Sequence, residues 1–106
     1  MNEKILRFSL FLGLNDKETK MQKISTVEAY KIVENMIKAR FDGGTISESV
    51  GLYKHDNCTF VKEVSLRIEL LFVSEESVRE FVATLKEVFN QESIAVMKEY
   101  INSELW

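Results

Sequence analysis

The amino-acid sequence predicts an α+β fold in which a four-stranded antiparallel sheet carries two helices on one face. Apolar residues alternate with polar ones in four segments, as in half-buried strands, and recur every three or four residues in two others, as in amphipathic helices. These segments follow the order strand, helix, strand, strand, helix, strand. The 106 residues, 45% hydrophobic and without proline, fit a single domain over residues 1–106.

The four strand segments differ in how they alternate. In the first and third, the even-numbered residues are apolar and share one face, and the second has a side rich in hydroxyl groups. The turn-forming residues His55, Asp56 and Asn57 join the second and third strands as a hairpin. The predicted strands cover residues 4–14, 45–55, 60–73 and 93–101.

Each helix has a recognisable start. Ser25 followed by Glu28 has the capping-box spacing, in which the serine oxygen meets an orphan amide of the first turn. Asp42-Gly43-Gly44 supplies a left-handed residue that ends such a helix. Ser74 is the predicted N-cap of the second helix, whose apolar stripe runs from Val78 to Phe89.

The order of elements predicts the topology. Two split strand-helix-strand units close into a ferredoxin-like β-α-β-β-α-β sandwich, because each right-handed crossover must leave room for a strand between. The expected core is apolar and includes Leu6, Phe8, Leu10, Val33, Ile37, Leu66, Ile68, Leu70, Phe81 and Leu85.

Charge and cysteine content limit the partners. The chain has 14 Lys and Arg against 17 Asp and Glu, a net charge of −3, so we expect no binding to duplex nucleic acid. The single cysteine, Cys58, cannot form an intramolecular disulfide. The sequence also has no continuous apolar stretch of signal-peptide or membrane-helix type. We therefore expect a cytoplasmic protein with no membrane partner.

No catalytic constellation stands out. His55 and Cys58 are close in sequence, but they flank a predicted turn and are better read as exposed turn residues. One histidine and one cysteine cannot build a zinc site within a subunit. We expect a protein that is not an enzyme and has no catalytic residues, metal or cofactor. The alternative is a small hydrolase that uses Asp16, Glu18 or His55.

One candidate binding region is the sheet face away from the helices. In a ferredoxin-like sandwich the first and third strands are the central pair, so Arg7 and Ser9 should stand beside Arg67, with Tyr53 nearby on the second strand. This face has three readings: a solvated surface, packing against a second subunit, or binding of an anionic ligand by the arginines.

The other candidate region is the loop over residues 15–24. Lys17, Lys20 and Lys23 precede a predicted helix N-terminus, where backbone amides favour anions. Those lysines, Asn15 and the Ser25-Thr26 amides would together hold a phosphate-bearing molecule. An ordinary solvated loop is the alternative reading.

Several segments also carry a family resemblance: Tyr53-Lys54-His55, Val61-Lys62-Glu63-Val64, Leu66, Ile68, Leu70 and Glu92-Ser93-Ile94-Ala95-Val96. They resemble the hairpin and last strand of the CutA and PII-type trimeric ferredoxin-like proteins. The chain also looks like small uncharacterised bacterial and phage-borne proteins. Charged residues in the middle of the central strands, together with Phe11, Leu71 and Trp106, which have no evident place in a small core, predict a homo-oligomer, either a dimer or a trimer. The resemblance favours the trimer and implies a nucleotide as ligand. The ten-residue loop departs from that pattern, and no motif of the PII nucleotide site matches.

The sequence thus predicts a non-enzymatic oligomeric module that binds a small anionic ligand, to sense or sequester it. Sequestration of a host signalling nucleotide by a phage protein is one form of this function. Recognition would fall to Arg7, Ser9, Asn15, Lys17, Lys20, Tyr53 and Arg67. The alternative is a protein-interaction or inhibitor module that acts through its sheet face.

Overall fold

The structure is a computed structural model that describes residues 4–54 and 57–106. His55 and Asp56 of the predicted turn lie outside the described residues. The elements are β1 (Lys4–Gly13), α1 (Thr26–Arg40), β2 (Thr45–Lys54), β3 (Phe60–Leu71), α2 (Glu75–Val88) and β4 (Ala95–Asn102). This order confirms the predicted ferredoxin-like α+β sandwich. Neither helix in these ranges is long and apolar enough to cross a membrane.

The four strands form one antiparallel sheet in the order β2-β3-β1-β4. The register pairs Phe8 with Leu70 and Leu10 with Ile68 across the central strands. Even-numbered side chains of β1 and β3 therefore share the face that the helices cover, as the alternation predicted. We call the opposite, uncovered side the open sheet face.

The core lies between the sheet and the two helices. Nine of the ten predicted core residues are buried, and Leu6 is partly buried against them. Phe41 and Phe81 meet edge to face, with ring centroids 5.3 Å apart, and so join the end of α1 to the middle of α2.

Both predicted helix starts are confirmed. The Ser25 hydroxyl accepts a hydrogen bond from the Glu28 N–H at 3.2 Å, and the Ser74 hydroxyl accepts one from the Ser77 N–H at 3.2 Å. In each case a side-chain oxygen satisfies a donor that has no partner in the first helical turn.

The prediction of a left-handed glycine at the end of α1 is wrong. The helix ends at Phe41, whose backbone is extended at φ −132°, and no glycine of the chain has a positive φ. The chain leaves the helix directly toward β2 without reversing its hand. Gly44 instead allows a close approach, since a Cβ there would lie 3.0 Å from the Leu70 side chain and 3.4 Å from that of Ile37.

Several strand ends differ from the predicted ones by one or two residues. β1 ends at Gly13, and β4 runs from Ala95 to Asn102. β3 ends at Leu71 because Phe72 turns into the left-handed region, with φ 59°, and takes the chain out of the sheet.

Strands β2 and β3 extend beyond the rest of the sheet. The last β3 partner of β1 is Ser65, whereas β2 and β3 remain paired to Lys54 and Phe60. Residues 50–54 and 60–64 thus form a two-stranded projection, which we call the arm. The subunit is accordingly elongated, measuring 52 × 29 × 23 Å.

Candidate functional site

A cleft of about 380 Å³ lies where the arm leaves the sheet, and we call it the loop–arm cleft. Its walls come from three segments: the loop after β1, the arm, and the residues after α2. The lining residues are Asn15, Asp16, Lys17, Lys20, Tyr53, Glu63, Gln91, Glu92 and Ser93.

Asp16 builds the loop wall of this cleft. Its carboxylate is buried and accepts hydrogen bonds from the Glu18 and Thr19 N–H groups, both at 2.9 Å, and from the Asn90 side-chain amide at 2.7 Å. The Asn90 amide, followed by the Thr19 N–H, holds the pKa of the Asp16 carboxyl far below its usual range. A carboxylate so fully engaged is unsuited to general-base work, so Asp16 organises the loop.

The loop is also fastened to the end of α2 through its backbone. The Lys17 N–H donates to the Asn90 carbonyl at 3.1 Å, and the Gln91 side-chain amide donates to the Asn15 carbonyl at 2.6 Å. Asn15 also bridges to Gln22, which closes the loop on itself. The segment that the sequence left without structure is therefore a compact, hydrogen-bonded wall.

Glu63 supplies a carboxylate to the cleft, and Gly13 makes the room for it. A Cβ at position 13 would lie only 2.6 Å from Glu63 Oε2 and 2.7 Å from its Oε1, so the carboxylate occupies the space that a side chain would take. Glu63 Oε2 accepts a hydrogen bond from the Asn15 N–H at 2.9 Å. These two features fix the carboxylate at the base of the arm.

Lys23 does not line the cleft and pairs with Asp16 at 3.8 Å, whereas the other two predicted lysines, Lys17 and Lys20, do line it. Both are exposed, and the Lys20 ammonium donates to the Lys17 carbonyl at 2.6 Å. Lys20 has a left-handed backbone, with φ 60°, which turns the chain tightly at this point. The structure places these lysines beside the segment after α2, whereas the sequence suggested the start of α1.

The open sheet face holds a separate polar cluster. Arg67 lies over the Phe11 ring, 5.4 Å from its centroid, and donates to Glu69 at 2.8 Å. Arg7 is paired with Glu99 on β4, and this ion pair raises the pKa of the guanidinium. Among the described residues, the fully buried Ser9 Oγ and the Arg67 Nε have no hydrogen-bond partner.

The seven predicted ligand residues therefore fall into two groups. Asn15, Lys17, Lys20 and Tyr53 line the loop–arm cleft. Arg7, Ser9 and Arg67 belong to the open sheet face. Asn15 is six residues from Ser9 along the chain, or ~20 Å at ~3.4 Å per residue, so the two groups lie at different places on the subunit surface.

Other candidate chemistry is scarce in the parts of the chain that the structure describes. No three histidine, cysteine, aspartate or glutamate side chains come together there in a metal-binding group. Cys58 is a free, exposed thiol in the hairpin connection, with a left-handed backbone at φ 66°.

Sequence comparison assigns the family. The family described as "Protein of unknown function (DUF3574)" matches residues 7–104. The chain belongs to this family. No curated protein matches the chain in sequence.

Solved structures share the fold over nearly the whole chain. A phage SAM lyase is 20% identical to this chain. Its complex with S-methyl-5'-thioadenosine matches with a TM-score of 0.63, over 96% of this chain and 92% of the lyase. Its apo form matches with a TM-score of 0.64, over 97% of this chain and 93% of the lyase. CutA from Synechococcus elongatus, complexed with a Bis-Tris molecule, is 12% identical with a TM-score of 0.62, over 96% of this chain and 85% of that one. These matches confirm the predicted resemblance to CutA.

The comparison corrects the expectation that the protein is not an enzyme. The phage SAM lyase that shares this fold is an enzyme. The expectation rested on the absence of a catalytic motif from this chain, and that absence does not exclude an enzyme. Both matched proteins hold a small molecule in a solved structure, so the fold is one that accommodates small ligands.

Proposed function

We propose that this chain is a self-associating enzyme that binds S-adenosylmethionine in the loop–arm cleft and cleaves it as a lyase. The observation that carries the proposal is the Glu63 carboxylate, which Gly13 admits to a cleft that also contains two lysines and a tyrosine. Support for the substrate class comes from the phage lyase that shares the fold.

The charges of the cleft complement those of this substrate. S-adenosylmethionine carries a sulfonium, an ammonium and a carboxylate, together with an adenosine group. Glu63 offers negative charge to the cationic centres, Lys17 and Lys20 offer positive charge to the carboxylate, and Tyr53 offers a ring for stacking. The anionic group predicted from the lysines is then the carboxylate of a molecule whose net charge is positive.

The reaction needs no redox partner. Release of S-methyl-5'-thioadenosine breaks the bond between the sulfonium sulfur and Cγ of the amino-acid part, and the sulfur keeps the electron pair. The four-carbon fragment leaves as a lactone if its own carboxylate oxygen bonds to Cγ, or as an alkene if a base takes a proton from Cβ. The cleft would act by orienting the substrate and excluding water around it.

Self-association has its own support in the arm. Val50, Leu52 and Phe60 are 63–68% exposed there, and a two-stranded hairpin by itself is only marginally stable in water. A second copy of the chain packed against the arm would bury these side chains. On the open sheet face, a partner would also contact the partly exposed ion pair of Arg67 with Glu69.

The test is turnover of S-adenosylmethionine, with S-methyl-5'-thioadenosine and the four-carbon product measured by chromatography and mass spectrometry. We expect turnover by the unaltered chain and a loss of at least about tenfold, or ~1.4 kcal/mol, in Glu63→Gln. Glu48→Gln is the matched control: it removes an exposed carboxylate on the neighbouring strand β2, outside the cleft, and should retain activity. No product from the unaltered chain, or equal rates in both variants, would overturn the proposal.

The open sheet face supports a second candidate function, that of an interaction or inhibitor module. The observation that favours it is the partly exposed ion pair of Arg67 with Glu69, which a different protein would contact as well as a second copy does. Light scattering distinguishes the two: a 12.3 kDa particle at all concentrations would favour a different partner, and a multiple of that mass would favour self-association.

A further inference from the structure

A second concavity, which shares no lining residue with the loop–arm cleft, runs between α2 and β4 on the helix-covered side of the sheet. It measures about 360 Å³, and we call it the α2–β4 groove. Its floor is apolar and consists of Phe8, Val78, Val82 and Val96. Phe8 and Val78 are buried, whereas Val96 is 43% exposed on the edge strand, so the groove leaves apolar surface in contact with water.

The rim of this groove is positively charged. Arg79, Lys86 and Lys98 face a single rim carboxylate, Glu75, which leaves two positive charges in excess. Glu75 is already engaged, since it accepts from Lys98 at 2.8 Å and pairs with Arg79 at 3.1 Å. Lys86 is only half exposed, and within the described ranges no carboxylate pairs with it.

The segment after β4 has the complementary character. The Leu105 side chain is 90% exposed and that of Trp106 is fully exposed. Glu104 lies beside them, and its carboxylate accepts a hydrogen bond from the Trp106 indole N–H at 2.7 Å. Two large apolar side chains and one carboxylate thus stand in solvent together. The apolar floor of the groove suits the two apolar side chains, and its positively charged rim suits the carboxylate.

This tail leads away from the groove of its own subunit. The groove contacts Val96 and Lys98 near the start of β4, and the tail begins after Asn102 at the far end. Lys98 and Asn102 are four residues apart, or ~13 Å at ~3.3 Å per residue along the strand. A tail that continues from the strand therefore meets the groove of another copy more readily than its own.

We propose that Leu105 and Trp106 of one copy of this chain insert into the α2–β4 groove of a neighbouring copy, with Glu104 paired to Lys86. The proposal rests on the self-association proposed above and adds to it the segment and the groove that meet. It does not depend on the chemistry assigned to the loop–arm cleft. An indole with a leucine beside it fits a groove of this size, whereas a whole helix does not.

The chain has a single tryptophan, so the fluorescence of Trp106 reports the tail directly. Emission maximum and acrylamide quenching are measured over a dilution series of the full chain, with light scattering on the same samples. We expect emission at shorter wavelength and weaker quenching where the chain is oligomeric, and both should revert on dilution to the monomer. An oligomer whose Trp106 stays exposed would overturn the groove assignment and leave self-association standing. A monomer at every concentration would overturn both.

Charge reversal provides the second arm of the test. Lys86→Glu should weaken self-association about tenfold, or ~1.4 kcal/mol, because it sets two carboxylates against each other. Adding Glu104→Lys in the same chain should restore association and the short-wavelength emission. Lys31→Glu on the exposed side of α1 is the matched control and should change neither. Failure of the double variant to restore association would contradict the Glu104 to Lys86 pairing.

Discussion

Replacing Gly13 with alanine tests the role of Glu63 without touching the carboxylate itself. The new Cβ would lie 2.6 Å from Glu63 Oε2, closer than such atoms approach, so the side chain must move. The obstacle is the far end of a flexible side chain, so the strand can persist while the carboxylate is displaced. The hydrogen bond from the Asn15 N–H at 2.9 Å is then lost.

The cost to stability follows from two opposing effects. Leaving the half-buried Asn15 N–H without its acceptor costs about 1–3 kcal/mol. Alanine offsets about 0.4–1 kcal/mol of this by restricting the unfolded chain, because the backbone of Gly13 is not left-handed. The net loss is about 0–2.5 kcal/mol, and at roughly 4–8 °C per kcal/mol the melting temperature falls by at most about 20 °C.

The effect on binding should exceed the effect on folding. Calorimetric titration of S-adenosylhomocysteine, which keeps the ammonium that Glu63 is proposed to meet but has no sulfonium to cleave, should show at least about tenfold weaker binding to Gly13→Ala, or ~1.4 kcal/mol. Gly51→Ala is the matched control, because its Cβ would lie an ordinary 3.8 Å from the Glu63 carbonyl oxygen. If both alanine variants bind as tightly as the unaltered chain, the Glu63 carboxylate has no part in recognition and the reasoning fails.

The remaining predictions concern the core, the loop and the open sheet face. Leu66→Ala, at a fully buried site in the middle of the sheet, should cost about 2–5 kcal/mol in denaturant unfolding, and a cost below ~1 kcal/mol would contradict the packing. The Asp16 carboxyl has a pKa lowered in the folded state, so its contribution to stability is present above the unfolded pKa of ~3.9 and is lost as the pH falls below it. Asp16→Asn should therefore lower the melting temperature at pH 7 and flatten its dependence on acid, whereas parallel melting curves from pH 7 to pH 2 would refute this role. Arg67→Lys keeps the positive charge but weakens the planar contact with the Phe11 ring on the open sheet face. It should weaken self-association, measured by light scattering, without unfolding the chain. Unchanged self-association would indicate that this face is not an interface.

The architecture was predictable because its signals are local. Alternation in β1 and β3 specifies which residues face the core, and the pairing of Phe8 with Leu70 follows from it. Ser25 and Ser74 mark helix starts because their side chains bond within one turn. The end of α1 was mispredicted because Gly44 is needed for close packing against β3, a contact between distant parts of the chain.

The cleft was only partly predictable. Asn15, Lys17, Lys20 and Tyr53 do line one cleft, but the sequence placed the lysines at the start of α1. Asn90 and Gln91 were missed because their partners lie more than 70 residues away along the chain. No local pattern carries such a pairing.

Glu63 was missed as a site residue although a signal for it exists. The alternation already put Glu63 on the open face of β3, and the register sets it opposite Gly51 with Gly13 on the other side. A glycine on each flanking strand leaves space around one carboxylate. To predict that Glu63 fills this space, one needs the register of three strands, which the sequence does not give.

The location of bound S-methyl-5'-thioadenosine tests the central proposal most directly. A crystal structure of the chain grown with this nucleoside should show it in the loop–arm cleft, with its sulfur facing the Glu63 carboxylate and its adenine beside the Tyr53 ring. Density for the nucleoside in the α2–β4 groove or on the open sheet face, with the loop–arm cleft empty, would contradict the account.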